Sequence, residues 1–210
     1  PFTARRREFF DYVNAVGGHA GMKGFFYELV RLETGTGPIY DGLITAALSY
    51  IDARLDCSDF MMLGILRILI QYGDSPVLPA ELKARCERVV LDFKYHPSEP
   101  GIDSLCTWTE NHQIQFAVCE YLAAAHFPAA EFTNLGRTGS ERITAARARI
   151  GRWLDLRERS GFNEWLSNVY YDEDMTALIT LLDFTADDDL RRRCRHVLDL
   201  LFLDLATHTF

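Results

Sequence analysis

Strand alternation is essentially absent from this chain, which excludes a sheet-based fold, while apolar spacings of three and four recur in every block. No apolar run is long and clean enough for a membrane span, and no signal peptide is visible. The sequence begins at Pro1 without a methionine, so the original N-terminus is expected to have been trimmed or omitted and the compartment stays open. Closely spaced cysteines are missing too. Cys57, Cys86, Cys106, Cys119 and Cys194 stand far apart, with no C-x-x-C and an odd total, which argues against a disulfide framework and a zinc site. Most fall at apolar helical positions, where a free cysteine behaves as a small buried hydrophobe. The stretch Gly17-Gly18-His19-Ala20-Gly21 lacks the Gly-Lys-Ser/Thr of a phosphate loop and reads as a turn. His19, His96, His126, His196 and His208 show no ligand spacing and are expected in structural or surface roles. Neither a metal nor a cofactor is expected. An excess of positive charge is lacking as well: the net charge of -8 argues against a nucleic-acid binder, which neutralises phosphates with a basic face. Arg5-Arg6-Arg7, Arg191-Arg192-Arg193 and the helix carrying Arg142, Arg147, Arg149, Arg152, Arg157 and Arg159 are expected to be solvated outer faces.

What is present is an ordinary globular composition, 48% hydrophobic and 25% charged over 210 residues, enough for one sizeable core and a single all-helical domain over 1–210. The apolar pattern predicts helices over about 3–15, 22–33, from 39, 58–72, 80–94, 110–126, 140–159 and 171–184, with a last one built on Leu190, Cys194, Val197, Leu198, Leu201 and Leu205. The 58–72 segment is apolar around nearly its whole circumference and must be surrounded. Caps are predicted at Ser58, Ser140 and Thr185. Helix starts near Asp59, Asn111 and Tyr171 recur at a loose period, each followed by a more charged partner. Antiparallel hairpins stacked side by side set alternate helices parallel, so these three starts should share one rim.

Two of those starts are rich in polar and aromatic residues. One is Thr107-Trp108-Thr109-Glu110-Asn111-His112-Gln113; the other runs from Phe162-Asn163-Glu164-Trp165 through Ser167-Asn168 to Tyr170-Tyr171-Asp172-Glu173-Asp174. An imidazole, phenols, amides and carboxylates are the groups of proton transfer and polar-ligand binding, and helix N-termini add free N–H groups suited to an anionic or polyhydroxylated ligand. Structural readings stand beside this. Thr107 and Glu110 fit a capping box, the acids at 172–174 and 187–189 fit first-turn enrichment, Tyr170 and Tyr171 fit core aromatics, and Trp108 and Trp165 fit either hinge packing or sugar stacking.

A helical hairpin array with Asn-His at one inner-helix entrance and tyrosines at the next resembles the α/α-toroid polysaccharide lyases, the superfamily of alginate, chondroitin and heparin lyases. The resemblance covers roughly residues 58 to 185 and implies an incomplete (α/α) toroid, part of a larger enzyme acting by β-elimination on a uronate-containing glycan. It implies that Asn111 neutralises the uronate carboxylate, that His112 takes the proton alpha to it, and that Tyr171, or its neighbour Tyr170, protonates the leaving oxygen. Trp108, Glu110, Gln113, Glu164, Trp165 and Asn168 would then contact substrate, and an extracellular or periplasmic location would follow. The chain departs from the family in having no clear match to the arginine that assists the neutralising amide. A glycoside hydrolase is the alternative, with Glu110 and Glu164, or one of them with Asp172 or Asp174, as its carboxylate pair. A non-catalytic helical-repeat scaffold that binds a glycan or a protein is the third reading.

Overall fold

The computed structural model describes residues 2–18, 21, 23–35 and 38–209, and His19 and Ala20 of the expected turn lie outside them. The fold is all-α. The elements are α1 (Phe2–Ala15), a one-turn 3-10 helix (Gly24–Phe26), α2 (Tyr27–Thr34), α3 (Asp41–Asp52), α4 (Ser58–Tyr72), α5 (Ala80–Asp92), α6 (Glu110–His126), α7 (Gly139–Ser160), α8 (Tyr170–Phe184) and α9 (Asp188–His208). Between α6 and α7 lies a hairpin of two-residue strands, β1 (Glu131–Phe132) and β2 (Arg137–Thr138), which pair antiparallel with Glu131 opposite Thr138. Strands this short leave no alternation to read, so the sequence shows no sign of them.

Helices α4, α6 and α8 form an inner layer, packed on one another. Their apolar residues run around the helix: Phe60 to Leu66 on α4 and Ile114 to Ala124 on α6 are buried without a break. The outer helices are amphipathic. α3 and α5 cover α4, α7 covers α6, and α9 packs on α8 and α7. One core cluster runs from Phe25 to Leu198. The three inner helices are parallel and in register, as their cross-links show. Asp59 meets His112 at the N-terminal end; Arg67 Nε donates to Thr180 Oγ1 at 2.9 Å in mid-layer; and Tyr121 and Thr185 bond through their hydroxyls at 3.0 Å at the far end. The shared rim expected from the hairpin pattern is therefore present.

Caps correct the sequence expectations by a residue or two. The cap of α7 is Thr138, not Ser140, with Glu141 closing a capping box on it. Asp187 rather than Thr185 caps α9, its Oδ1 accepting from the amides of Asp189 and Leu190 at 3.0 Å. Cys57, not Ser58, holds the cap position of α4, in the left-handed region at φ 65°.

The arginines of α7 are only partly a solvated face. Arg142 and Arg157 are buried, and Arg142 bonds Glu99 at 2.5 Å and Glu120 at 2.8 Å while lying against the rings of Tyr95 and Phe132. Gly139, the first residue of α7, allows the helix to start close against the end of α6: a Cβ there would sit against Phe127 O and 2.6 Å from Ala124 O. Both obstacles are backbone. Gly139→Ala is expected to destabilise the fold by about 1–3 kcal/mol through forced separation of α6 and α7. Chemical denaturation would measure this, and a change below about 0.5 kcal/mol would show that the two helices yield freely.

Candidate functional site

The N-terminal ends of α4, α6 and α8, the C-terminal end of α7 and the 161–169 loop bring a group of polar side chains to one rim. At its centre His112 Nδ1 and Asp59 Oδ2 bond at 2.7 Å, and the imidazole stacks on Phe60 with 4.8 Å between ring centroids. Asp59 is fully buried, and His112 is 5% exposed. Burial pulls the imidazole down, but the bond to Asp59 and the charges of Asp59, Asp56 and Glu173 outweigh it and hold its pKa above the ordinary histidine value. Burial pushes the Asp59 carboxyl up against the pull of His112. An Nδ1-bonded carboxylate fixes ring orientation and leaves Nε2 as the outward-working nitrogen.

Asn111, beside His112, is fully buried and donates Nδ2–H to Glu164 Oε2 at 2.7 Å. Its Oδ1 has no hydrogen-bond partner among the described residues. Glu164 also lies in the field of Arg157. Arg157 is ion-paired with Glu110 and lies over the ring of Trp153. An arginine thus does reach the neighbourhood of Asn111. It was not apparent in the sequence because it is at the far end of an outer helix that runs antiparallel to α6.

Glu110 does not close a capping box on Thr107. The cap of α6 is Thr109, which makes no side-chain cap bond, while Glu110 Oε2 accepts from the Asn163 amide at 2.8 Å and pairs with Arg157. Nor are Asp172, Glu173 and Asp174 one acidic first turn facing water. Asp172 is exposed, but Glu173 and Asp174 are buried. Glu173 is paired with Lys23, and Gln115 Nε2 donates to its backbone oxygen at 2.9 Å. Among the described residues Asp174 has no hydrogen-bond partner on either oxygen, and burial, with Glu164 adding to it, pushes its carboxyl up to about 8.

The tyrosines part company. Tyr171 is buried and donates to Asp204 Oδ2 at 2.6 Å; burial and that bond raise it to about 12. Its hydroxyl is committed to α9, whereas Tyr170 is exposed and its hydroxyl has no partner among the described residues. Trp108 is 73% exposed, whereas Trp165, 61% exposed, ties the 161–169 loop to α9, donating Nε1–H to Asp204 Oδ1 at 3.1 Å and meeting the His208 ring edge-on. Asn168 is exposed, as is Gln113, which donates to Trp108 O at 2.8 Å. Gln113 and Thr107 line a cavity of about 360 Å³ between α6, α7 and the 95–97 segment, with Arg149 and Arg152 on its wall. A neighbouring cavity of about 530 Å³ shares those two arginines.

Sequence comparison with family models and curated proteins, and structural comparison with solved structures, find no match to this chain. The chemistry therefore has to be read from the rim itself. Lys23 gave no sequence signal, since its segment has no polar motif, and Asp59, although its helix start is expected on the same rim, was not marked as the partner of His112. Cys57 is the third surprise: its thiol, a carboxylate oxygen of Asp56 and a ring nitrogen of His112 all lie within 4.8 Å of one another.

Proposed function

We propose that this chain is a carbohydrate-active domain whose rim carries out acid–base chemistry on a uronate-containing glycan, in the manner of a polysaccharide lyase, as a segment of an (α/α) toroid. One observation carries this reading: a carboxylate, that of Glu164, is held by the Asn111 amide in the field of Arg157, directly beside the Asp59–His112 pair. A uronate carboxylate taking the place of Glu164 would meet the same donors. Masking its charge makes the alpha proton removable by a base that works near neutral pH. His112 is that base, oriented by Asp59. The leaving oxygen takes its proton from Tyr170, since the hydroxyl of Tyr171 is already given to Asp204. Trp108 and Trp165 offer exposed faces for sugar rings, and Arg149 and Arg152 extend a positive wall along the groove that begins at Gln113.

The test is release of unsaturated, ultraviolet-absorbing ends from a panel of polyuronates. His112→Asn is expected to cost about 10²- to 10⁴-fold in turnover, the usual worth of a positioned base. Turnover that survives that change intact would remove His112 from the chemistry. Hydrolysis is favoured by one separate feature, the elevated Asp174 carboxyl near Glu164, because a carboxyl that holds its proton near neutral pH suits a general acid. That enzyme would release reducing ends without the absorbance and would lose activity in Glu164→Gln and Asp174→Asn.

A further inference from the structure

We propose that Asp56, Cys57 and His112 form a binding site for one divalent transition metal of the zinc type. Three different donors, a carboxylate oxygen, a thiol sulfur and a ring nitrogen, already lie within 4.8 Å of one another. A mixed O, S, N set is what zinc accepts and what magnesium or calcium, which take oxygen ligands, do not. Three protein ligands also leave a fourth tetrahedral position open.

The surroundings are those of a prepared site. Asp59 Oδ2 binds His112 Nδ1 at 2.7 Å, the carboxylate–histidine arrangement that orients a ligating imidazole and leaves Nε2 for the metal. Asp56 is pinned in the same way. Its Oδ1 accepts the amides of both Cys57 and Cys106 at 3.0 Å, and its other oxygen has no hydrogen-bond partner among the described residues. Cys57 is held by a left-handed backbone at φ 65°, a conformation that a non-glycine residue adopts at some cost. Negative charge accumulates around the three, with Asp59 and Glu173 both close enough to act on Cys57 and His112, and Lys23 is paired to Glu173. A divalent cation would offset that crowding.

The site stands independently of the glycan reading and constrains it. A metal on His112 Nε2 excludes a proton there, so the loaded protein should lack the base that elimination requires. Binding is tested without any activity assay, by titrating the chelator-treated full chain with Zn²⁺ in a calorimeter and with Co²⁺ in a spectrophotometer. One metal per chain is expected, together with the thiolate-to-cobalt charge-transfer band that a sulfur ligand gives. Cys57→Ser, a near-isosteric change at a half-buried position, should abolish the band and weaken Zn²⁺ binding by at least about 100-fold. Asp59→Asn, which removes the carboxylate that orients His112 and its charge near Cys57, should weaken it by about 10- to 100-fold. Absence of stoichiometric binding, a cobalt spectrum without the sulfur band, or Cys57→Ser binding as tightly as the native chain would each overturn the proposal.

Discussion

Arg142→Met is expected to lower the stability of the protein by roughly 3–5 kcal/mol, the usual cost of removing one partner from a buried ion pair. The guanidinium is 2% exposed and bonds two buried carboxylates, those of Glu99 and Glu120. Glu120 keeps a second cation in Arg149 after the substitution, while Glu99, among the described residues, keeps hydrogen bonds from the Tyr95 amide and the Asn134 side-chain amide and the more distant charge of Arg149. The lost free energy should therefore come mainly from Glu99, a buried carboxylate whose directly paired cation is gone. Arg142→Met combined with Glu99→Gln should recover a large part of the loss, because the uncompensated charge goes with it. For a chain of this length the single change corresponds to a fall in Tm of roughly 6–20 °C. Denaturant unfolding of the four members of the cycle measures the coupling. A single-variant loss under about 1 kcal/mol would mean that the cluster is far more hydrated than its burial indicates.

The second large effect is a pH dependence set by Asp174. Its carboxyl titrates near 8 in the folded protein, against an ordinary value of 3.8, because burial disfavours the charge and Glu164 on the 161–169 loop and Glu173 on α8 repel it, with only Arg157 of α7 opposing. The sign follows from proton counting. Between about pH 4 and pH 8 the native state binds more protons than the unfolded one, so stability falls as pH rises, levelling off on either side of that window. The slope from one such group is about 1.4 kcal/mol per pH unit, accumulating to several kcal/mol by pH 8. Asp174→Asn removes the titration, so unfolding free energies of the two proteins should diverge steadily from pH 4 to pH 8, with the variant gaining relative to the native chain. Parallel curves would show that Asp174 is already ionised at low pH in the folded state. The same measurement bears on hydrolysis, since an acid that stays protonated at neutral pH is what a hydrolase would need at this position.

Much of the architecture follows from periodicity. The inner helix α4 is apolar on all sides and the outer helix α7 on one, and that contrast alone separates the two layers. The common rim follows as well, because antiparallel hairpins stacked side by side set alternate helices parallel. The candidate site is another matter. Asn111 and His112 stand out in the sequence as polar residues at an apolar helix entrance, yet the groups that define their chemistry come from other helices: Asp59 from α4, Arg157 from α7, Glu164 from the loop before α8 and Lys23 from the N-terminal segment. The Thr107 capping box failed for a related reason. Glu110 has the right spacing for it, but a buried arginine and a loop amide compete for its carboxylate, and a charged partner outweighs a local backbone donor.

The sequence by itself determined the fold class, the layering and the end of the bundle where polar groups collect, because hydrophobic periodicity acts along one helix at a time and is written in consecutive residues. Tertiary structure alone decided which of those groups touch. It gave His112 to Asp59, the hydroxyl of Tyr171 to Asp204, and the Cys57 thiol to the neighbourhood of Asp56 and His112. Such partnerships depend on where helix ends meet in space, and once burial removes water, a few ångströms of separation determine which charge is paired, which is left alone and which can work.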